Sequence, residues 1–397
     1  MDGPAGQQPD LEALGIDRSN WREEGKLRVA FRSIAALLPV DTIANAPGDV
    51  FHLDESPDPL HEFRLPGENG AVLSISDFLR RTGTDAFLVV HDGRVVFESY
   101  GEGTAARTPH ITMSVTKSVT GLVGLLLHEA GAVDLHAPVS DYVPEVAASG
   151  YRGATTRQLL DMRADILWDA AELVRYRSAA NWEPYTEEEA GFGLHGFIGA
   201  AKPGSAGHGA PFNYISSNTE LAAWAFERAT GRRFAALVSD LLWKPMGAAD
   251  PACITVDRMG AARCSGGLCA TVRDLARLGQ VMVDDGVRAG RQVLPRAALD
   301  DIVRGGDRDA WRNGRWGGTF ALETGPGMSY RSGWYVTGDA PPTVFAMGTH
   351  GQHLFLDPAR RLVVVKLSSQ AIPMDRSAMA LTCAAVAELA RVADTRR

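Results

Sequence analysis

Cysteine is scarce in this chain: four occur among 397 residues, at Cys253, Cys264, Cys269 and Cys383, with no Cys-x-x-Cys spacing. That scarcity excludes a disulfide scaffold and predicts reduced thiols. Long basic tracts are also missing and the net charge is -8, so a nucleic-acid surface is not expected. The longest apolar run, Gly121 to Leu127, is too short to cross a bilayer, and no membrane segment is predicted. The first ten residues lack a basic start followed by an apolar stretch, which predicts no secretory signal and a cytoplasmic location. There is no Gly-x-Ser-x-Gly elbow, no second histidine after His128-Glu129, and no Gly-x-x-x-x-Gly-Lys loop. Neither a metal nor a cofactor is therefore implied, and His350 with His353 alone would not make a metal site. The expected partner is a small molecule, with monomer and homodimer both open.

What is present suits an enzyme-sized globule, because 45% apolar residues over this length can bury a sizeable core. Residues 1–26 are polar and rich in Gly, Pro and Gln, and read as a loosely ordered leader. Two β-rich runs flank Asp92-Gly93 between Asp85 and Tyr100, the strongest short hairpin signal in the chain. A mostly apolar helix follows from near Ser114 to Gly131, and shorter helices are predicted over Thr156 to Met162, Asn218 to Ala229 and Thr271 to Asp284. Trp168 to Gly209 reads as irregular, either a lid or a wall of a binding site, or else a stretch with elements that its pattern does not show. Four short β-rich stretches come late, Ser332 to Val336, Thr343 to Met347, Gln352 to Leu356 and Leu362 to Leu367, before an amphipathic helix over Arg376 to Val392. This order predicts an α+β fold. One antiparallel sheet flanked by helices is built from 27–140 and 272–397, and a mainly helical domain, 141–271, is inserted between them.

Ser114 and Lys117 stand three residues apart at the start of the apolar helix, where i and i+3 share a face. A neutral lysine amine within reach of a serine hydroxyl can take its proton and make it a nucleophile. With 21 serines and five lysines, a chance Ser-x-x-Lys match has a probability of roughly one in four, so the motif alone is weak. A capped helix with a surface lysine would give the same letters. The burial expected of this run is what favours chemistry, since a buried lysine must lose about three pKa units to be neutral near pH 7. The helix start also offers free N–H groups to a developing oxyanion.

Tyr214 and Ser216, two apart after a tight Gly-Ala-Pro-Phe-Asn approach, can both face one cleft, with Tyr214 passing a proton to a leaving group. A core tyrosine ahead of a capped helix is the plainer reading. In Gly348-Thr349-His350-Gly351-Gln352, small residues would let a carbonyl approach the backbone, so the Thr349 N–H is a candidate oxyanion donor. His350 is a candidate for substrate contact, although a lone strand histidine is more often structural.

Taken together these residues resemble the serine β-lactamase and penicillin-binding protein superfamily, and most of all the 6-aminohexanoate-dimer hydrolases and class C β-lactamase-like esterases. The resemblance runs from about Thr84 to Ser369. It rests on ordered blocks: Met113-Ser114-Val115-Thr116-Lys117-Ser118, Gly266-Gly267, Thr271-Val272-Arg273-Asp274-Leu275-Ala276-Arg277, His350-Gly351-Gln352 and Lys366-Leu367-Ser368-Ser369. It implies a β-lactamase/transpeptidase-like fold, Ser114 as the acylated nucleophile, Lys117 as its base, Tyr214 as the proton shuttle, and an oxyanion hole made by the N–H groups of Ser114 and Thr349. Ser265, ahead of the Gly-Gly pair, is implied as a substrate contact, Tyr176 and Trp182 are further candidate contacts, and Trp334 is a candidate wall, although core packing is the more frequent role of such a tryptophan.

Two departures from the pattern matter. Where the superfamily has Lys-Thr-Gly, this chain reads Ala346-Met347-Gly348, so the cation that would grip a β-lactam carboxylate is missing. The specificity loop carries Arg175 and Arg177 where the nylon-oligomer enzymes carry acidic residues, which predicts a different, anionic or aromatic, substrate. The expected function is a serine hydrolase that opens an amide or ester through an acyl-enzyme. An acyltransferase is the nearest rival and a non-catalytic receptor the third reading.

Overall fold

The computed structural model describes residues 9–67, 71–185, 192–318 and 327–395. In chain order the elements that frame the site are β1 (Val40–Ile43), β2 (Asp54–Glu55), α1 (Ile75–Arg81), β3 (Thr84–His91), β4 (Arg94–Tyr100), β5 (His110–Ile111), α2 (Val115–Glu129), α3 (Thr156–Leu160), α4 (Ala170–Ala179) and α5 (Ser216–Thr230). They continue with β6 (Ala252–Thr255), β7 (Leu268–Ala270), α6 (Val272–Val283), β8 (Ser329–Arg331), β9 (Trp334–Val336), β10 (Val344–Gly348), β11 (Gln352–Asp357), β12 (Leu362–Ser368) and α7 (Arg376–Asp394).

Eight strands form the main sheet in the order β8-β9-β10-β11-β12-β3-β4-β2. Every neighbouring pair is antiparallel except β2 with β4. The β3–β4 turn holds Asp92 at φ 48° and Gly93 at φ 78°, and His91 pairs with Arg94. This is the two-residue hairpin that Asp-Gly predicts, because its twist matches that of the strands. At the middle of the sheet β12 pairs with β3, Leu362 opposite His91 through Leu367 opposite Ala86. Alternate residues of these strands serve two cores, as a period of two requires. Leu88, Val90, Val363 and Val365 join the core shared with α2 and α6. Phe87, Val89, Val364 and Phe355 join the core under α1 and α7. The antiparallel sheet flanked by helices is thus as predicted.

Helix α2 lies inside the molecule, with every residue from Val115 to Leu127 buried. Two glycines set how closely it passes the β8–β9 turn. A Cβ on Gly121 would sit 1.7 Å from the Ser332 carbonyl oxygen, and one on Gly333 would sit 2.2 Å from the Lys117 carbonyl oxygen. Any side chain at either position would push the helix away from the turn.

Three expectations are corrected. Residues 9–26, predicted as part of a loosely ordered leader, pack Leu11, Ile16 and Trp21 into the core, and the Trp21 indole N–H donates to the Trp182 carbonyl at 3.0 Å. Three well-spaced apolar residues suffice to dock a segment whose average composition is polar. The segment Trp168 to Gly209, predicted as irregular, contains α4 and a helix over Gly193–Gly199. α4 lacks an apolar stripe and is started by Asp169, whose side chain accepts from the Glu172 N–H; the part of this stretch from 186 to 191 lies outside the described residues. The strand predicted over Ser332 to Val336 begins only at Trp334, because Ser332 (φ 48°) and Gly333 (φ 84°) form the turn from β8. The stretch 141–271, predicted as mainly helical, carries helices and also contributes β6 and β7 to a second antiparallel sheet ordered β1-β6-β7-β5. These strands are short and largely buried, so they show no alternation to read.

Candidate active site

The loop before α2 is pinned by the second sheet. The Thr112 N–H and hydroxyl both donate to the Leu268 carbonyl, at 2.8 and 3.0 Å, and the Leu268 N–H donates back to the Thr116 hydroxyl at 3.1 Å. Between those anchors Met113 is held at φ 47°, a left-handed conformation that costs a non-glycine residue on the order of 1 kcal/mol or more. Ser114 follows at the N-cap of α2 and is half-buried. The end of β10 presses against it: a Cβ on Gly348 would come within 2.9 Å of the Ser114 nitrogen and 2.6 Å of the Thr112 carbonyl oxygen. Only glycine at 348 lets the backbone carrying Thr349 approach the Ser114 N–H so closely.

One turn into α2, the Lys117 Nζ lies 2.8 Å from the Ser114 Oγ and 2.7 Å from the Ser265 carbonyl oxygen. Lys117 is 1% exposed. Burial holds its pKa well below the usual lysine value and the nearby Arg263 lowers it further, against an opposing pull from Glu220. An uncharged amine here would donate to the Ser265 carbonyl and keep its lone pair for the Ser114 proton. The Tyr214 ring covers the same amine, with Nζ 4.8 Å from the ring centre, and the Ser114 side chain lies beside its hydroxyl. Burial raises the Tyr214 pKa, so the phenol keeps its proton near pH 7. Ser114, Lys117 and Tyr214 therefore come together as the motif spacing requires.

Behind Lys117 lies a dry polar network. The Arg263 guanidinium meets the Glu220 carboxylate at 2.6 Å, the Tyr176 hydroxyl donates to that carboxylate at 2.7 Å, and the other Glu220 oxygen accepts from the Cys264 N–H at 2.6 Å. The Ser265 hydroxyl closes the ring, 2.8 Å from the Tyr176 oxygen. Arg263 is also hydrogen-bonded to Tyr176 and lies over the rings of Tyr176 and Trp182, 4.3 and 4.6 Å from their centres. Burial raises the Glu220 pKa and lowers that of Arg263.

Five candidate substrate contacts are relocated by this geometry. Tyr176 and Ser265, each 1% exposed, belong to the network behind the lysine, and the Ser265 carbonyl rather than its hydroxyl touches Lys117. Trp182 donates its indole N–H to the Thr255 hydroxyl and packs edge-on against Trp21. Trp334 is fully buried in the core of α2 and α6. His350, at φ 62°, has its Nδ1 2.7 Å from the Gln370 carbonyl and its ring against Phe31, so it ties two loops together. The arginines expected to read the substrate are occupied as well, Arg175 by Glu172 at 2.9 Å and Arg177 by Glu183 at 3.8 Å.

Ser216 does face the cavity beside the serine, an opening of about 390 Å³ whose lining also includes Tyr214, Gly348, Trp168, Trp316 and His353. Trp316 stacks on Tyr214 with ring centres 4.5 Å apart. Sequence reasoning missed Glu220, Arg263, Trp168, Trp316 and His353. Glu220 carried a usable signal: a carboxylate just before the apolar run Leu221 to Phe226 needs a buried cation as partner. Among the described residues no group of three or more His, Cys, Asp or Glu is arranged to hold a metal ion, and no helix is long and apolar enough to cross a membrane.

Comparison with known proteins gives a consistent picture. A model of the Beta-lactamase family matches residues 75–388. A 6-aminohexanoate-dimer hydrolase of Paenarthrobacter ureafaciens is 33% identical over 99% of this chain and 96% of its own length. Among solved structures, a Bacillus anthracis protein assigned as a 6-aminohexanoate-dimer hydrolase superposes with a TM-score of 0.86 at 25% identity, covering 96% of this chain and 98% of that one. A family VIII carboxylesterase superposes with a TM-score of 0.59 at 18% identity, covering 79% of this chain and 95% of the other, and shares the fold.

Proposed function

This chain belongs to the β-lactamase family and is a hydrolase, and from that premise we propose that it cleaves an amide or ester of a small molecule through an acyl-enzyme on Ser114. The observation that carries the reading is the Lys117 amine, 2.8 Å from the Ser114 hydroxyl in a site whose dryness weakens that amine's hold on a proton. Ser114 Oγ attacks the substrate carbonyl carbon and its proton passes to the Lys117 lone pair. The carbonyl π pair moves onto oxygen, where the N–H groups of Ser114 and Thr349 hold it. Collapse of the tetrahedral species breaks the C–N or C–O bond, and the leaving amine or alcohol takes the Tyr214 proton, which Lys117 replaces. Water then adds to the acyl ester by the same route in reverse, releasing the acid and restoring Ser114.

The linear 6-aminohexanoate dimer is the first substrate to try, because two relatives carry that activity in their names. Efficient β-lactam cleavage is not expected, since the strand position that would supply a carboxylate-gripping lysine is the buried Ala346. Cytoplasmic residence fits the four free thiols.

The test is a screen of p-nitrophenyl esters, short amides including the dimer, and a chromogenic β-lactam, with wild type and Ser114→Ala, each with and without added amine. Hydrolysis lost in Ser114→Ala, with a phosphonate adduct on the wild type by intact mass, supports the reading. Turnover that survives the substitution overturns it. A high yield of amide with added amine would make the enzyme an acyltransferase instead.

A further inference from the structure

The cavity beside Ser114 has a polarity gradient that the proposed chemistry does not use. Its walls are apolar, with Trp168, Trp316, Met347 and Met379 among them. At its exposed rim stand two arginines, Arg315 and Arg376. Other arginines in this part of the chain hold carboxylates, Arg312 with Asp309 at 2.7 Å, Arg331 with Asp301 at 2.5 Å and Arg360 with Asp357 at 2.9 Å. Among the described residues neither Arg315 nor Arg376 has such a partner. Among the described residues the one carboxylate on the rim is Asp375, which has an oxygen committed to the start of α7, where it accepts the N–H groups of Ser377 and Ala378 at 3.0 Å each. Among the described residues two cations therefore stand at the rim against one partly committed anion.

Deeper in the cavity the polarity is of the opposite kind. His353 is 3% exposed, and its Nδ1 lies 3.2 Å from the Gly351 carbonyl, which places the ring proton on that nitrogen. Its Nε2 is then a lone-pair acceptor, buried and with no partner among the described residues. Burial and the neighbouring Lys366 lower the His353 pKa to about 3, so the ring stays uncharged. An anion is repelled by that lone pair and attracted by the rim, so only one orientation of a charged chain satisfies both.

Resting on the reading of Ser114 as nucleophile, we propose that this cavity selects substrates whose chain is apolar along its length and ends in a carboxylate, held at the rim between Arg315 and Arg376. The arginine pair does at the opening what the family's strand lysine would have done at Ala346. Guanidinium forks suit a carboxylate better than a neutral end group, and exposure keeps the gain to a few fold for each cation.

The experiment compares kcat/KM for matched esters. The first series is the mono-p-nitrophenyl esters of succinic, glutaric and adipic acids against p-nitrophenyl butanoate and hexanoate, with a 6-aminohexanoate ester as the cationic member. The second is acetyl esters of hydroxyacids against those of the matching alcohols. A carboxylate preference of about three- to ten-fold in either series is expected. It should shrink in 0.5 M salt, fall toward unity in Arg315→Gln/Arg376→Gln, and return in the double lysine variant. Equal rates for carboxylate and neutral members in both series, or a preference for the ammonium member, overturn the inference. Should the double variant fail to fold, the wild-type ratio and its salt dependence decide alone. Loss of neutral-ester turnover in Ser114→Ala with no carboxylate preference leaves the hydrolase standing and removes only the inference. Turnover that survives Ser114→Ala removes the reading beneath both.

Discussion

Arg263 and Glu220 form an ion pair 2.6 Å apart in which both side chains are almost wholly dry, and it stands directly behind the Lys117 amine. The groups that face that amine are the Ser114 hydroxyl, the Ser265 carbonyl, the Tyr214 ring and this pair. Its two members pull the lysine in opposite directions, Arg263 away from its proton and Glu220 toward it. Removing Arg263 alone, as in Arg263→Met, leaves Glu220 free to favour the ammonium. The acid limb of the kcat/KM profile should then move to higher pH. Glu220→Gln should move it to lower pH and, by leaving Arg263 unpaired, cost about 3 to 5 kcal/mol of stability by urea titration. A profile unmoved in both variants would show that the pair only supports the fold.

Tyr214→Phe should separate substrates by their leaving groups. An amine must be protonated as it departs, whereas p-nitrophenolate need not be. The loss should be about 10²- to 10⁴-fold on an amide and much smaller on a p-nitrophenyl ester. Equal losses on both would place Tyr214 in binding or positioning.

Stability should climb with pH above neutrality because of Lys366. Its amine is fully buried on β12, 2.5 Å from the Ser368 hydroxyl, and burial lowers its pKa to about 7 from 10.5. Between those values the unfolded chain binds the proton and the folded chain does not, so raising pH favours folding across that window. Below about pH 7 both states hold the proton and the slope vanishes. Lys117, also lowered, adds to the trend. Urea titrations at pH 7 and pH 9.5 should show the rise in wild type and a smaller one in Lys366→Met.

Gly121→Ala should be among the most damaging single-methyl additions in the chain. The new carbon would fall 1.7 Å from the Ser332 oxygen, and both partners are backbone, so the helix must shift. A cost of about 2 kcal/mol or more is expected from the chemical-denaturation midpoint, and the Lys117–Ser114 contact should loosen with it. An unchanged midpoint would mean that the helix and turn have room to part.

Much of this was legible in the sequence because it is written locally. Asp92-Gly93 dictates its hairpin, and positions 114 and 117 share a helix face whatever surrounds them. What failed depends on tertiary placement. Trp334 and Trp316 are the same residue type, yet one is sealed in the core and the other stacks on Tyr214, a difference set by which side of the sheet each meets. His350 lies in a Gly-rich turn that invites approach, but its left-handed backbone turns the ring toward Phe31, while His353, next along the strand, lines the cavity. α4 went unseen because its buried face is made of Glu172, Tyr176, Ser178 and Ala179, which carry no apolar period.

The seam between β12 and β3 joins stretches of chain that lie nearly three hundred positions apart. During synthesis the N-terminal hairpin must wait, with one edge unsatisfied, until the last strand leaves the ribosome, and long-range pairings of this kind form late and slowly. Ser114 sits at the start of a helix roofed by that sheet, so a ribosome stalled before residue 362 would carry the proposed nucleophile, base and proton donor and still lack the strand that seats them.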